Sequence, residues 1–358
     1  MNAARRARMY FWSACLPLAA ACSFTQGPTP FAWQDPPGFP RMIVPADNPF
    51  SEEGVALGRR LFYDPILSAD SSMSCASCHL QELAFSDGKA RSEGVVGLEG
   101  RRSAPSLANI GYVHTGLFWD GRSPSLEEQS LHPVRDPAEM AFDWPHAAQR
   151  LQQHPLYSKA FEKAFGLRHP EEIDSTEVGK ALAQFQRTLV SKDARFDRVM
   201  RGEAAFTARE KRGWAIFFDA SPLVPASECN HCHVDPLFSD LTYQNNGIQQ
   251  VPSLDSFPDG GRGEISKNRF DNGKFRVPTL RNILTTAPYM HDGRFQTLDD
   301  VLAHYASGGH DPGNRNPNVR PLHLSPRDRT DLIAFLHTLQ DTAFLQNPAF
   351  ANPWNTAQ

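Results

Sequence analysis

Four cysteines of this chain stand in two pairs, and each pair is followed at once by histidine: Cys75-Ala76-Ser77-Cys78-His79 and Cys229-Asn230-His231-Cys232-His233. Thiols two residues apart beside an imidazole can hold zinc, run dithiol redox chemistry or attach haem c. Haem accounts best for the pattern. The two thiols reach the two vinyl groups of one porphyrin, and the next histidine falls beneath the iron as proximal ligand. Of six cysteines only Cys15 and Cys22 are left over, both near the N-terminus. The motifs therefore imply two covalently bound haem c groups, one on Cys75, Cys78 and His79, the other on Cys229, Cys232 and His233.

What faces the far side of each iron decides the chemistry. An electron carrier fills both axial positions, whereas a haem that reacts with peroxide leaves one open beneath an acid–base group. Behind the second motif, Thr297-Leu298-Asp299-Asp300 caps a helix on which Leu298, Val301, Leu302 and Tyr305 form one apolar face. Tyr305 points inward, with His304 about 100° round the helix. Tyr305, His304 and Met290 are the ligand candidates, beside the plainer reading of Tyr305 as a core tyrosine. Between Leu80 and Tyr112 there is no histidine, methionine or cysteine. A first iron left open fits that stretch, although His114 or Met140 could reach it from elsewhere.

The elements that must position these residues read as mostly α and loop-rich. Ser51 caps a helix to about Phe62, and Glu177 to about Met200 is one long periodic stretch. Thr207 to Glu210 is a capping box opening a helix to about Phe218. Ser325-Pro326-Arg327-Asp328 starts a terminal helix with Leu332, Phe335, Leu336 and Leu339 along one stripe. No alternating strand pattern is present, and 221–276 is rich in turns. The motifs lie 154 residues apart (229 − 75), which predicts two cytochrome c-like haem domains packed against each other, residues 49–200 and 201–345. No repeat beyond the haem motif itself is visible.

Arg5, Arg6 and Arg8 followed by the apolar run Met9–Ala21 read as a signal peptide over residues 1–22, too short for a comfortable membrane span. Leu18 to Cys22 leaves two processing routes open, simple cleavage or a lipid anchor on Cys22. Residues 23–48, with prolines from Pro28 to Pro45, read as a linker. The expected location is the periplasm of a Gram-negative bacterium. Charges nearly balance, 36 basic against 40 acidic, which argues against nucleic acid and for a protein or small-molecule partner.

Phe118-Trp119-Asp120-Gly121-Arg122, Leu126-Glu127-Glu128-Gln129, Pro133 with Glu139, and Val277 to Asn282 with Thr286-Ala287-Pro288-Tyr289-Met290-His291-Asp292-Gly293 resemble the di-haem cytochrome c peroxidase/MauG family from about Ser51 to Leu339. The resemblance implies that the N-terminal haem is the peroxidatic one. Gln129, Pro133 and Glu139 match its distal pocket, Glu139 as the acid–base residue. Trp119 matches the tryptophan between the haems. Two departures point to the MauG-like branch. The blocking histidine of ordinary family peroxidases is missing after the first motif, and Tyr305 stands where they carry methionine, as in MauG-type members. Tyr305 is then the preferred ligand opposite His233, a phenolate favouring ferric and high-valent iron. The implied function is oxidation by hydrogen peroxide, through a high-valent di-haem state, of an aromatic residue (tryptophan above all) on a partner protein. The alternative is reduction of hydrogen peroxide with electrons from a small cytochrome or cupredoxin. MauG has a tryptophan two residues before its second motif as the exit for the hole; Ser227 stands there here, which speaks against methylamine dehydrogenase as partner and leaves Trp214 as a substitute. A calcium ion is implied between the domains, with the carbonyls of Thr286 and Pro288 as ligands and Ser103 in place of the family's asparagine.

Overall fold

The structure, a computed structural model, describes residues 27–356. Residues 1–22, expected to be a signal peptide, and with them Cys22 lie outside the described residues. Helices run in the order α1 (Glu52–Tyr63), α2 (Leu126–Gln129), α3 (His132–Arg135), α4 (Trp144–Gln152), α5 (Pro155–Phe165), α6 (Ser175–Thr188), α7 (Arg195–Met200), α8 (Ala208–Phe217), α9 (Gly263–Ser266), α10 (Leu298–Ser307), α11 (Pro326–His337) and α12 (Thr342–Leu345). Between them lie short 3₁₀ turns and one two-residue antiparallel pair, Tyr243–Gln244 with Phe275–Arg276. Among the described residues no helix is long and apolar enough to cross a membrane.

The expected caps form. The Ser51 side chain accepts from the Gly54 amide, Thr207 from Glu210 and Ser325 from Asp328, satisfying donors that a helix start leaves without partners. Each half is then built on one close helix crossing. In the first, α1 meets α6 at Gly58, where an added Cβ would lie 1.9 Å from the Ala181 carbonyl oxygen; in the second, α8 meets α11 at Gly213, where it would lie 1.9 Å from that of Asp331. Phe185 and Phe335, each four residues beyond the contacted carbonyl, close the crossings. Gly58-Arg59-Arg60-Leu61-Phe62 thus parallels Gly213-Trp214-Ala215-Ile216-Phe217, a repeat beyond the haem motifs that the sequence reading did not find.

Two sequence expectations need correction. The stretch Glu177–Met200 is two helices, α6 and α7, not one. Between them the Asp341 carboxylate accepts from the Ser191 hydroxyl and the Lys192 and Asp193 amides. Apolar periodicity does not register a buried carboxylate that offers backbone donors an alternative to the helix ladder. The proline-rich segment is no free tether. Trp33 stacks on Phe50 at 5.4 Å, Met42 is buried, and the Phe39 ring lies 5.7 Å from that of Tyr112, with the buried Arg281 guanidinium 5.0 Å from it. Met42, Tyr112 and Val190 share a small core with Leu237 and Leu241, so the segment straps the seam between the halves. The C-terminal end also crosses over, with Phe344 and Phe350 packing into the core of the first half.

Candidate active site

Each haem motif sits on a 3₁₀ turn, Cys75–Ser77 and Cys229–His231, and none of the four thiols is in a disulfide. Burial pushes the Cys75 thiol up to about 12 and those of Cys229 and Cys232 up to about 11. His79 Nδ1 bonds the Phe85 carbonyl at 2.7 Å, and His233 Nδ1 bonds that of Phe238 at 3.0 Å. Both phenylalanines hold left-handed backbone, φ 61° and 52°. A carbonyl partner fixes the proton on Nδ1 and leaves Nε2 as a lone-pair donor, the arrangement of metal-bound histidine. Both motifs therefore fit a covalently attached haem.

Around the first motif, the turn carrying Glu139 is pinned from three sides. Its amide donates to the Asp136 carbonyl, its carbonyl accepts from Val95, and the next amide, of Met140, donates to the carbonyl of Pro133. Gly94 makes this approach feasible, since a Cβ there would lie 2.4 Å from the Ala138 oxygen. Desolvation and the nearby Asp136 charge push the Glu139 carboxyl up to about 7, partly opposed by Arg122. The Glu139 charge in turn acts on both Cys75 and Cys78, so this carboxyl shares the environment of the first motif. Gln129 ends α2, half-buried, its side-chain amide without a partner among the described residues. Of the other ligand candidates, His114 is exposed and bonded to the Tyr112 carbonyl, and Met140 is buried in the first core. His132, not singled out in the sequence, neighbours Pro133; its buried Nε2 has no hydrogen bond and lies 3.8 Å from the Glu128 carboxylate.

Beside the second motif lies a cavity of about 1340 Å³, counting its open mouth, lined by Cys229, Cys232, His233, Met290, His291 and Tyr305 among others. Tyr305 lines it as expected, its phenol raised to about 12 by burial, with the Asn246 side chain acting in the opposite direction. His304 does not line it and instead bonds the Asn246 carbonyl through Nε2 at 2.9 Å. Met290 Sδ accepts from Asn246 Nδ2 at 3.4 Å. Tyr305 and Met290 thus both line this cavity.

Trp119 lies between the halves. It lines both this cavity and a second one at the seam, and its indole donates to the Ser103 carbonyl at 2.9 Å. The second half fixes its loop, with the Arg276 amide donating to the Trp119 carbonyl and Arg276 Nε to that of Phe118. Asp120 anchors Arg102 and Arg122, and Arg102 continues to Asp259. Ser103, Thr286 and Pro288 line the seam cavity together. Neither the Thr286 nor the Pro288 carbonyl accepts a hydrogen bond among the described residues, while the Ser103 hydroxyl donates to the Met290 carbonyl at 2.9 Å. Ser227 is buried and bonds the Ile216 carbonyl; Trp214 packs, half-buried, on the second core.

The internal repeat reaches this machinery. Phe118-Trp119-Asp120-Gly121-Arg122 parallels Met290-His291-Asp292-Gly293-Arg294, with Phe118 and Met290 both left-handed (φ 64° and 77°). The bridges Leu117↔Ser123 and Tyr289↔Phe295 match, as do the caps Ser125 and Thr297. Seven residues after Leu126 comes Pro133, and seven after Leu298 comes Tyr305. The continuous α10 of the second half is broken into α2 and α3 in the first. Where one half offers a phenol, the other offers a side chain that cannot ligate.

With two haem-attachment motifs, a desolvated carboxyl at the first and a phenol-lined cavity at the second, the site has the parts of a two-haem peroxide enzyme. The family profile described as di-haem cytochrome c peroxidase matches residues 52–205, and the chain belongs to that family of oxidoreductases, which carry two haem c groups. The Methylamine utilization protein MauG of Methylorubrum extorquens is 38% identical over 299 residues, 83% of this chain and 80% of that protein. Cytochrome-c peroxidase IdrP1 of Denitromonas iodatirespirans is 35% identical, covering 91% and 92%. Among solved structures, a MauG-like protein associated with microbial copper homeostasis is 35% identical with a TM-score of 0.83, over 90% of this chain and 99% of that one.

Proposed function

We propose that this protein uses hydrogen peroxide to oxidise an aromatic residue, tryptophan in the first instance, of a partner protein. The observation carrying this reading is the asymmetry between Pro133 and Tyr305 in equivalent places, combined with Glu139 beside the first motif. His79 would hold the peroxidatic haem, His233 and Tyr305 the second; once attached, the haems supply the oxidising chemistry. Glu139 takes the proton from the near peroxide oxygen and returns it to the far one, aiding cleavage of the bond between them. Gln129 would orient the peroxide with its free amide, Pro133 would offer the first haem no ligand, and Trp119 would pass electrons between the halves. Residues 49–200 and 201–345 form the two haem domains of this reading. Thr286, Pro288 and Ser103 would hold a calcium ion, carbonyl oxygens being its natural ligands, and the periplasm is the compartment proposed.

One observation favours the second reading, peroxide reduction with a small cytochrome or cupredoxin as donor: Met290 lines the same cavity as Tyr305, and a sulfur ligand would favour ferrous iron. Adding peroxide to the fully oxidised holoprotein separates the two. A near-infrared charge-resonance band without prior reduction supports the first. Turnover of a reduced small cytochrome only after half-reduction supports the second and overturns the first.

A further inference from the structure

The strap over the seam carries more redox-active chemistry than a clasp needs. One carboxylate oxygen, Asp35 Oδ1, accepts from the phenol of Tyr112 at 3.1 Å, from the indole Nε1 of Trp33 at 3.1 Å and from the Met42 amide at 3.2 Å. Tyr112 is 4% exposed, whereas Trp33 is half-buried at the outer layer, stacked on Phe50. Ile110 and Val113, on either side of Tyr112 in the same turn, line the seam cavity together with Trp119. The turn that carries Tyr112 thus borders the cavity that Trp119 also lines, and the bonded series Tyr112, Asp35, Trp33 leads from that buried turn to a half-buried indole. A phenol bonded to a carboxylate is built to lose an electron and a proton together, because the acceptor for the proton is already in place.

We propose that Tyr112, Asp35 and Trp33 form an outlet that drains oxidising equivalents from the seam to Trp33 when no partner protein consumes them. The inference rests on the peroxide reaction proposed above. Tyr112 loses one electron towards Trp119 and its phenolic proton to Asp35 Oδ1. Trp33 then gives one electron to the tyrosyl radical, and the proton returns from Asp35 to the phenol oxygen. Each passage oxidises Trp33 by one electron; two passages consume both oxidising equivalents of one peroxide, and addition of water to the oxidised indole with loss of two protons leaves a hydroxylated Trp33, the peroxide ending as water. Burial and the Asp35 charge both push the Tyr112 phenol up, so it stays protonated until it is oxidised.

The test treats the fully oxidised holoprotein with peroxide in the absence of any partner and maps oxidised residues by peptide mass spectrometry. Trp354, 41% exposed, reports attack from solution. Oxidation at Trp33 ahead of Trp354 is expected, and it should be lost in Tyr112→Phe, which keeps the ring, and in Asp35→Asn, which keeps the shape but not the proton acceptor. In both variants the haem spectrum should still respond to peroxide. Trp33 oxidation that persists in Tyr112→Phe, or that trails Trp354 in the native chain, overturns the outlet while leaving the proposed function standing. A native haem spectrum that ignores peroxide overturns both, since nothing would then need draining.

Discussion

Glu139 offers the sharpest handle on the chemistry. An ordinary glutamate, at 4.5, is almost wholly ionised at neutral pH; desolvation and Asp136 push this one up to about 7, so about half of it is protonated there. If its carboxylate takes the first proton from peroxide, the second-order rate of the ferric holoprotein with peroxide depends on the ionised fraction. That rate should rise about tenfold per pH unit below the midpoint and level off above pH 7. Glu139→Gln removes the titrating group, so the slope should disappear and the rate should fall roughly 10²–10⁴-fold, the usual worth of a positioned acid–base group. Neighbours give the sign independently. Asp136→Asn removes a negative charge that raises the Glu139 value, and should move the midpoint to lower pH. Arg122→Gln removes a positive charge that lowers it, and should move the midpoint up. Stopped-flow absorbance across this pH range measures all four proteins. A midpoint near 4.5, or a Glu139→Gln protein as fast as the native one, would refute the assignment.

Tyr305→Phe should change the ferric spectrum of the second haem while both haems stay attached, and Met290→Leu should leave that spectrum as it is; the opposite pattern makes Met290 the ligand and favours the peroxidase reading. Gly58→Ala and Gly213→Ala should each destabilise the holoprotein by about 1–3 kcal/mol or more, because the new methyl meets a backbone carbonyl across a helix crossing; denaturant unfolding measures it, and an unchanged midpoint would mean that the helices can part. Ser103→Ala should weaken calcium binding in equilibrium dialysis if the Ser103 hydroxyl joins the Thr286 and Pro288 carbonyls, whereas unchanged binding would leave Ser103 as the partner of the Met290 carbonyl alone.

The haem motifs, the capped helices and the inward face of Tyr305 were legible because each rests on local spacing. A Cys-x-x-Cys-His pentapeptide, a capping box and an i, i+3, i+4, i+7 stripe all declare themselves within two helical turns. What was not legible depends on contacts between distant segments. The break between α6 and α7 needs Asp341, about 150 residues away in sequence. The strap over residues 31–50 reads as a linker from its prolines, and only Tyr112 and Arg281 reveal that its aromatic rings have somewhere to go.

The repeat lies between these cases. Gly58-x-x-Leu-Phe and Gly213-x-x-Ile-Phe, or Trp119-Asp-Gly-Arg and His291-Asp-Gly-Arg, are present in the sequence, but each match is too short to stand out without the shared crossing, the shared left-handed residue and the shared cap. Under the proposed function, an open first iron rests on more than the absence of histidine, methionine and cysteine between Leu80 and Tyr112. The helix that carries Tyr305 has a broken counterpart in the first half, and at the matching position that counterpart carries Pro133, which would offer no ligand there. Proline has no ligating atom and lacks the amide that would continue the helix, so the same substitution removes a ligand and turns the chain towards Glu139, whose following amide bonds the Pro133 carbonyl.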